Sequence, residues 1–389
     1  MNKYPWITFE LNLKEHPLSP KVWMQIGECC SKCDHISRVP VKPSRAKEMH
    51  KIYLAKGIMA TTAIEGNTLS EEQVRQKIEG TLNLPPSKQY LGQEVENILD
   101  ICNEIMAAIA SQENPIKITK KSLEHYNEII LKNVPVSSDV SPGKLRQHNV
   151  GVGSYRAPEY IDVESLVEKL CTWLNSDYFE LYPDTPIANS ILKSIMAHLY
   201  IAWIHPFGDG NGRLARILEL LILLNSGIPS PAAHLLSNHY NLTRSEYYRR
   251  LELAGKTQNP VIFIEYSIQG FLDGLKDQLY NIYSNIYEVS WESFVYESFR
   301  DTNSHDTINK RRRSLVLEIS KESNPVKRED IIKGNVYLMR SYLNKTDLTL
   351  LRDLEVAINM GLIRKVEGKY EACKEKILSF LPPKKNVST

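Results

Sequence analysis

Ile204-His205-Pro206-Phe207-Gly208-Asp209-Gly210-Asn211-Gly212-Arg213-Leu214-Ala215-Arg216 joins two apolar runs, Ile187–Ile204 and Leu214–Leu224. Both runs read as buried helices, and Pro206 ends the first. The glycines make a tight turn, so the second helix begins at about Asn211 and Gly208–Gly212 lies at its N-terminus. Free N–H groups and the helix dipole favour an anion there. Arg213 and Arg216 are three apart on the first turn and share a face. Guanidinium matches phosphate oxygens in bidentate geometry. Asp209 adds a hard oxygen ligand of the kind Mg²⁺ takes. His205 supplies a side chain that titrates near neutrality. Singly, each residue reads more simply as a tight turn or a core histidine. Together they form a nucleotide-phosphate site with a general base. No Gly-Lys-Ser/Thr follows, so this is no P-loop. It joins helix to helix, so it is no dinucleotide fingerprint.

Working outward, Ala46–Ile64 has helical periodicity and stops at Gly66-Asn67. Ser70 is placed to cap the next helix. Gln93–Ala110, Thr119–Leu131 and Val163–Leu174 read as further helices. Val150-Gly151-Val152-Gly153, with Pro142-Gly143 before it and Tyr155 and Pro158 after, reads as a hairpin. Tyr4, Trp6 and Phe9 are expected to pack on a neighbouring element.

Composition narrows the class. The 389 residues carry 48 Lys+Arg against 46 Asp+Glu, with 42% hydrophobic and 24% charged residues. This describes a globular chain of two to three units that neither seeks nor repels polyanions. The apolar runs are broken by Lys193, His198 and Glu219 or are too short to cross a bilayer, so no membrane is expected. The N-terminus carries Glu10, Lys14 and Glu15 where a signal peptide needs apolar residues, so the expected location is cytoplasmic. Of the 6 cysteines, Cys29, Cys30 and Cys33 cluster near His35, but no second pair completes a zinc set, and reduced thiols on a helix are expected.

Residues 301–310 turn polar, and a linker is expected there. The last 89 residues hold 18 Lys+Arg and 12 Asp+Glu, a net +6, which leaves −4 for the rest. That asymmetry marks a separate unit. Its pattern is helix Arg313–Ser320, helix Lys327–Lys333, helix Leu348–Met360, then strands Leu362–Val366 and Lys369–Ala372 turned at Glu367-Gly368. Three helices and a hairpin resemble a winged helix-turn-helix.

HPFGDGNGRLAR resembles the HxFx[DE]GNGRxxR signature of the Fic family of protein adenylyltransferases at every specified position. The resemblance covers roughly residues 1–290. It implies a mainly α fold: a Fic-type helical domain with a small β-hairpin flap, here followed by the winged-helix-like domain. The expected division is 1–110 with an inhibitory helix at about 46–65, 111–290 as catalytic core, and 300–382 as the tail. The implied reaction transfers AMP from ATP to a Ser, Thr or Tyr hydroxyl of a protein, which includes the enzyme itself. By resemblance, His205 deprotonates the hydroxyl and Asp209 holds Mg²⁺. Gly210, Asn211 and Gly212 form the anion hole. Arg213 binds the β-phosphate, Arg216 the γ-phosphate, and Phe207 anchors the loop. The kinase-like Doc branch carries lysine at the position of Gly212, so glycine points to nucleotidyl transfer.

Thr61-Thr62-Ala63-Ile64-Glu65-Gly66-Asn67 resembles the family's inhibitory motif [ST]xxxE[GN], which implies that Glu65 pairs with Arg216 and displaces the γ-phosphate. In some relatives the same glutamate supports AMP removal. Asn149, Val150, Gly151, Val152 and Gly153 match the target-docking flap, whose strand edge can pair with an extended peptide. Tyr247-Tyr248 resembles the family's YYxxL element, which implies that Tyr248 contacts the base. Some relatives place asparagine seven residues later, where this chain has Gly255.

The tail leaves a rival reading open: a DNA-binding regulator using Arg311–Arg313. The helix that would enter the groove carries Asp353 and Glu355 with only Arg352 basic, which favours target binding or a homodimer. A quiet scaffold is the third reading, and the intact His205 argues against it.

Overall fold

The computed structural model describes residues 3–11, 13, 15–111, 115–152, 155–180, 185–300, 306–333 and 335–378. The chain divides into two compact units, Met1–Leu279 and Tyr280–Thr389. The division falls earlier than the sequence suggests. Residues 1–110 and 111–279 share one hydrophobic core, because Ile26, Ile58, Ile64 and Ile98 pack in the same cluster as Leu199 and Leu218.

Unit 1 is helical. α1 (Pro20–Arg38) starts with Pro at its first position and a Ser19 side-chain cap, and buries Val22, Ile26, Cys29 and Cys33 on one stripe. Burial pushes the Cys33 thiol up to about 12 and Cys29 in the same direction, away from the thiolate that metal binding requires. α2 (Pro43–Ile64) ends at Glu65, where Gly66 turns the chain with φ 104°. α3 (Glu71–Ile78) opens on the expected Ser70 cap, completed by Gln73 into a capping box. α4 (Gln89–Ser111) and α5 (Lys120–Ile130) follow. The hairpin is short: β1 (Gly151–Val152) pairs antiparallel with β2 (Tyr155–Arg156). Gly153 of the expected flap lies outside the described residues.

α6 (Tyr160–Leu174) leads to the central pair, α7 (Pro186–Ile204) and α8 (Asn211–Asn225). α8 buries 13 of its 15 residues. A helix apolar on all sides has to lie in the middle of the core. α7 is long and apolar enough to cross a membrane, but 78% of that window is buried inside the protein, as a core helix requires. Around the pair stand α9 (Ser230–Ala233), α10 (Leu235–Leu242), α11 (Arg244–Thr257) and the start of α12 (Val261–Ser298). The N-terminal aromatics pack as expected. Trp6 donates to the Tyr155 hydroxyl at 2.9 Å, and Phe9 stacks on Tyr200.

Unit 2 contains the end of α12, α13 (Asp306–Ile319), α14 (Arg328–Ile331), α15 (Val336–Tyr342) and α16 (Asp347–Asn359). β3 (Ile363–Val366) pairs antiparallel with β4 (Lys369–Ala372). Glu367 and Gly368 both take positive φ in the expected turn, as a two-residue hairpin demands. Val326 adds a bridge to Tyr370. Two corrections concern this unit. The expected linker at 301–310 is helical from Asp306, since Asn309 already turns inward as part of α13. A fourth helix, α15, escaped the apolar pattern because it spans only seven residues. It forms because the Asn335 side chain accepts from the N–H groups of Tyr337 and Leu338.

Arg311 and Arg312 turn inward and pair with buried Asp353 at 2.8 Å each, and the Tyr342 hydroxyl donates to the same carboxylate. Arg313 lies over the Tyr296 ring. The Arg311–Arg313 run therefore builds the unit's interior and is not presented as a phosphate-binding strip.

Candidate active site

The site is built where α7 stops. His205 caps α7 in the left-handed conformation, φ 49° and ψ 60°. A non-glycine residue holds that conformation only when its surroundings impose it. Arg146 does so. It is 5% exposed, and its guanidinium donates to the carbonyls of His205 (2.8 Å), His148 (2.8 Å), Pro158 (2.5 Å) and Ile204 (3.4 Å). Its own N–H donates to the Pro206 carbonyl. One side chain thereby ties the end of α7 to the chain entering and leaving the hairpin.

The turn is pinned from two further sides. The Asn211 side chain accepts from the Phe207 N–H at 2.9 Å and donates to the Phe207 carbonyl at 2.8 Å. Phe207 is 1% exposed and anchors the loop, as expected. The fully buried Asn127 amide donates to the Asp209 carbonyl and accepts from the Gly143 N–H. Gly210 caps α8 with φ 80°, and a Cβ there would press on Asn127.

The first helical bond of α8 runs from Leu214 N–H to the Gly210 carbonyl. The N–H groups of Asn211, Gly212 and Arg213 precede it and have no acceptor within the helix. They make the cradle. Gly210 N–H is taken by the Asp209 carboxylate at 2.5 Å. Asn211 has only its main-chain N–H to offer an anion, since its side chain is committed to Phe207.

Above the cradle sits Glu65. Its carboxylate accepts from Arg216 at 2.5 Å, and a Cβ on Gly212 would overlap it. Arg216 is 1% exposed in its side chain, and also donates to the Thr61 hydroxyl (2.9 Å), the Thr61 carbonyl (3.0 Å) and the Tyr247 hydroxyl (3.4 Å). Burial works to raise the Glu65 carboxyl, but Arg216, with help from Arg213 and Arg244, outweighs it and holds the group below the usual carboxylate range. Arg213 lies 3.6 Å from Glu94 and 3.5 Å from Asp209. Glu94 is in turn held by the Asn67 amide at 2.8 Å, so both arginines are tied to the segment around Glu65.

A cavity of about 450 Å³ opens beside this pair. Glu65, His205, Gly212, Tyr247, Tyr248 and Trp203 are among its walls. The size suits a nucleoside. The His205 imidazole faces it with Nδ1 buried. Burial, the largest influence, lowers its pKa against a smaller upward pull from the Ala202 carbonyl, which favours the neutral ring. Tyr248 is 43% exposed and donates to the Ile64 carbonyl at 3.3 Å, while Tyr247 is buried. A larger hollow of about 790 Å³, lined by Lys117, Asn175 and Lys193, contains none of residues 205–216.

The structure therefore brings together His205, Asp209, Gly210, Asn211, Gly212, Arg213, Arg216, Glu65 and Tyr248. Of the flap residues, Asn149 accepts from the Tyr160 N–H at the start of α6, and Val150 accepts from Ala157 N–H. Gly151 and Val152 form β1. Arg146, Asn127 and Glu94 were not singled out in the sequence, and Tyr247 only as the neighbour of Tyr248. The partners of the first three are backbone groups or lie far along the chain, and no local pattern announces them.

The Fic/DOC family model matches residues 117–223. Protein adenylyltransferase fic-1 of Caenorhabditis briggsae is 31% identical over 230 residues, 57% of this chain and 42% of that protein. Fic-1 of Caenorhabditis elegans is 27% identical over 270 residues, 67% of this chain and 49% of that protein. The chain thus spans about half the length of the curated relatives it matches. A Fic family protein from Desulfovibrio desulfuricans G20 shares the fold with a TM-score of 0.55 at 21% identity, covering 92% of this chain and 97% of that one. The likeness to the Fic/DOC family is carried by residues 117–223, which hold α7, the turn after it and most of α8.

Proposed function

We propose that unit 1 is a protein adenylyltransferase that moves AMP from ATP to a protein hydroxyl and is held off by Glu65. One observation carries the reading: a carboxylate stands on Arg216 above the first N–H groups of α8, and the His205 imidazole lines the same cavity. A carboxylate there is in the place an ATP phosphate would take.

The chemistry follows from the residues. His205 takes the proton of the attacking hydroxyl at its cavity-facing Nε2. The hydroxyl oxygen bonds to the α-phosphorus, the bond to the β-phosphate bridging oxygen breaks, and pyrophosphate leaves. The N–H groups of Asn211, Gly212 and Arg213, with the Arg213 guanidinium, stabilise charge that develops on the phosphates. Arg216 takes the γ-phosphate once Glu65 withdraws. General-base catalysis of this kind contributes roughly 10²–10⁴-fold.

Asp209 is the residue that would hold Mg²⁺. Its carboxylate is 48% exposed beside the cradle, and no cluster of three acidic, histidine or cysteine groups exists among the described residues. One carboxylate fits a cation that arrives with the triphosphate. When bound, magnesium neutralises charge on the phosphate oxygens. The β1–β2 hairpin offers the target peptide a strand edge, and Tyr248 walls the base.

For unit 2 we favour protein contact, with a partner or a second copy of the chain, over DNA. The inward pairing of Arg311 and Arg312 removes the main basic cluster, and the α15–α16 corner exposes Val336, Leu343 and Leu348. A winged-helix module of this surface suits apolar docking.

The test is direct. Glu65→Gly protein with labelled ATP and Mg²⁺ should incorporate AMP into itself or a lysate protein, and the wild type should do so far less. A folded, ATP-binding variant that labels nothing would sink the proposal.

A further inference from the structure

Behind the cavity lies a polar chain for which the proposed chemistry has no use. His198 of α7 has Nδ1 3.0 Å from Glu219 Oε2 of α8 and Nε2 2.9 Å from the Tyr247 hydroxyl of α11. The other Glu219 oxygen accepts from Tyr240 of α10 at 2.8 Å, and Tyr240 contacts Ser267 of α12 at 3.0 Å. At its near end, Tyr247 accepts from Arg216. Every member is 2% exposed or less. Burying a carboxylate, an imidazole and two phenols is costly compared with apolar residues of equal size. Such a network is kept for what it holds in place.

Its polarity is fixed from both ends. Glu219 Oε2 stands in ion-pair contact with Nδ1 at 3.0 Å, outside hydrogen-bond alignment, and as a carboxylate it draws the His198 proton to Nδ1 and leaves Nε2 an acceptor. Tyr247 must then donate to His198, which leaves its oxygen lone pairs facing Arg216. Arg216, a donor only, needs that orientation. Glu219 thus decides, two residues removed, that Arg216 meets an acceptor.

The contacts of Arg216 divide by origin. Thr61 and Glu65 belong to the end of α2, whereas Tyr247 belongs to α11. If the end of α2 lets go, three of the four hydrogen bonds go with it and Tyr247 remains. We infer that Glu219, acting through His198 and Tyr247, is a positioning residue for Arg216: it keeps the guanidinium at the cavity when Glu65 withdraws and so favours a nucleoside triphosphate over the diphosphate. The inference rests on the adenylyltransferase reading.

The experiment measures the ratio of ADP to ATP dissociation constants by calorimetry, with Mg²⁺, in the Glu65→Gly protein. Tyr247→Phe keeps the ring and removes the hydroxyl. It should lower the ratio about 3- to 10-fold, the value of one hydrogen bond, with ADP affinity within twofold. Glu219→Leu should do the same. Glu219→Gln retains an acceptor for His198 and should keep the ratio within about twofold of the parent. A mere packing role would weaken both nucleotides alike. An unchanged ratio in Tyr247→Phe overturns the inference, as does an unchanged ratio in folded Glu219→Leu; if Glu219→Leu does not fold, Tyr247→Phe decides. A Glu65→Gly protein that binds neither nucleotide removes the adenylyltransferase reading itself, and this inference with it.

Discussion

Replacing Glu65 by glycine removes one partner of a pair whose other member, Arg216, has 1% of its side chain exposed. Breaking a fully buried pair costs about 3–5 kcal/mol. Two features of the site reduce that cost. Glu65 is 33% exposed in its side chain, so water already screens the pair. Arg216 also keeps Thr61 and Tyr247. We therefore expect a loss of about 1–2 kcal/mol, or roughly 2–6 °C in the melting temperature of a unit this size. Nucleotide should reverse the order. A ligand at a hundred times its Kd stabilises by about 2.7 kcal/mol. The variant has an empty seat for the γ-phosphate, whereas in the wild type the phosphate must first displace a carboxylate. The assay is thermal unfolding of both proteins with and without MgATP, using MgAMP as a control that cannot reach Arg216. The variant should melt lower alone and higher with ATP, and AMP should shift both equally. Equal shifts of both proteins with ATP would refute the idea that Glu65 and the γ-phosphate share one place.

Three further outcomes are expected. His205→Ala should abolish AMP transfer while ATP binding, read by calorimetry, stays within a few-fold; with burial holding the imidazole pKa below its ordinary value, wild-type-background Glu65→Gly activity should be flat at neutral pH and fall only as acid protonates the ring, below about pH 6.5. Gly212→Ala should destabilise the wild type, because the new Cβ overlaps the Glu65 carboxylate, and cost much less in Glu65→Gly, where only the 3.2 Å approach to Arg216 remains against a helix preference for alanine of up to about 1 kcal/mol; additive effects in a double-mutant cycle would contradict the overlap. Arg146→Ala strands four carbonyls at the end of α7 and around the hairpin and should cost about 2–4 kcal/mol in denaturant unfolding, with AMP transfer lost along with the His205 conformation.

The stretch from His205 to Arg216 could be read directly because its logic is local. A proline, three glycines and two arginines at helical spacing dictate a helix, a turn and a helix end within one span of chain. Glu65 was legible only through the resemblance of Thr61–Asn67 to the [ST]xxxE[GN] motif, since an acidic residue at a helix end carries no such message by itself. Arg146 was not, since it binds main-chain carbonyls and any sequence supplies those. Nor was Asn127, which joins the loop to the Pro142-Gly143 turn from a helix 82 residues before Asp209. Arg311 and Arg312 looked like surface charge because no acidic residue stands three or four positions from either. Their partner, Asp353, arrives 41 and 42 residues later. The boundary at 279 was hidden because α12 runs unbroken across it, through Gly270 and Gly274 and with no proline to mark the change of core.

The residues proposed to seat the nucleotide ride on α8, the most enclosed element of the fold, while Glu65 caps the end of α2, just before a glycine with nothing beside it. The two can therefore diverge at different speeds. Changes around 61–66 alter how firmly the lever is latched without disturbing the lock it closes, whereas a change in α8 is felt throughout the interior. Lineages that need a hair trigger or a dead bolt could retune that single helix end and leave the machinery beneath it untouched.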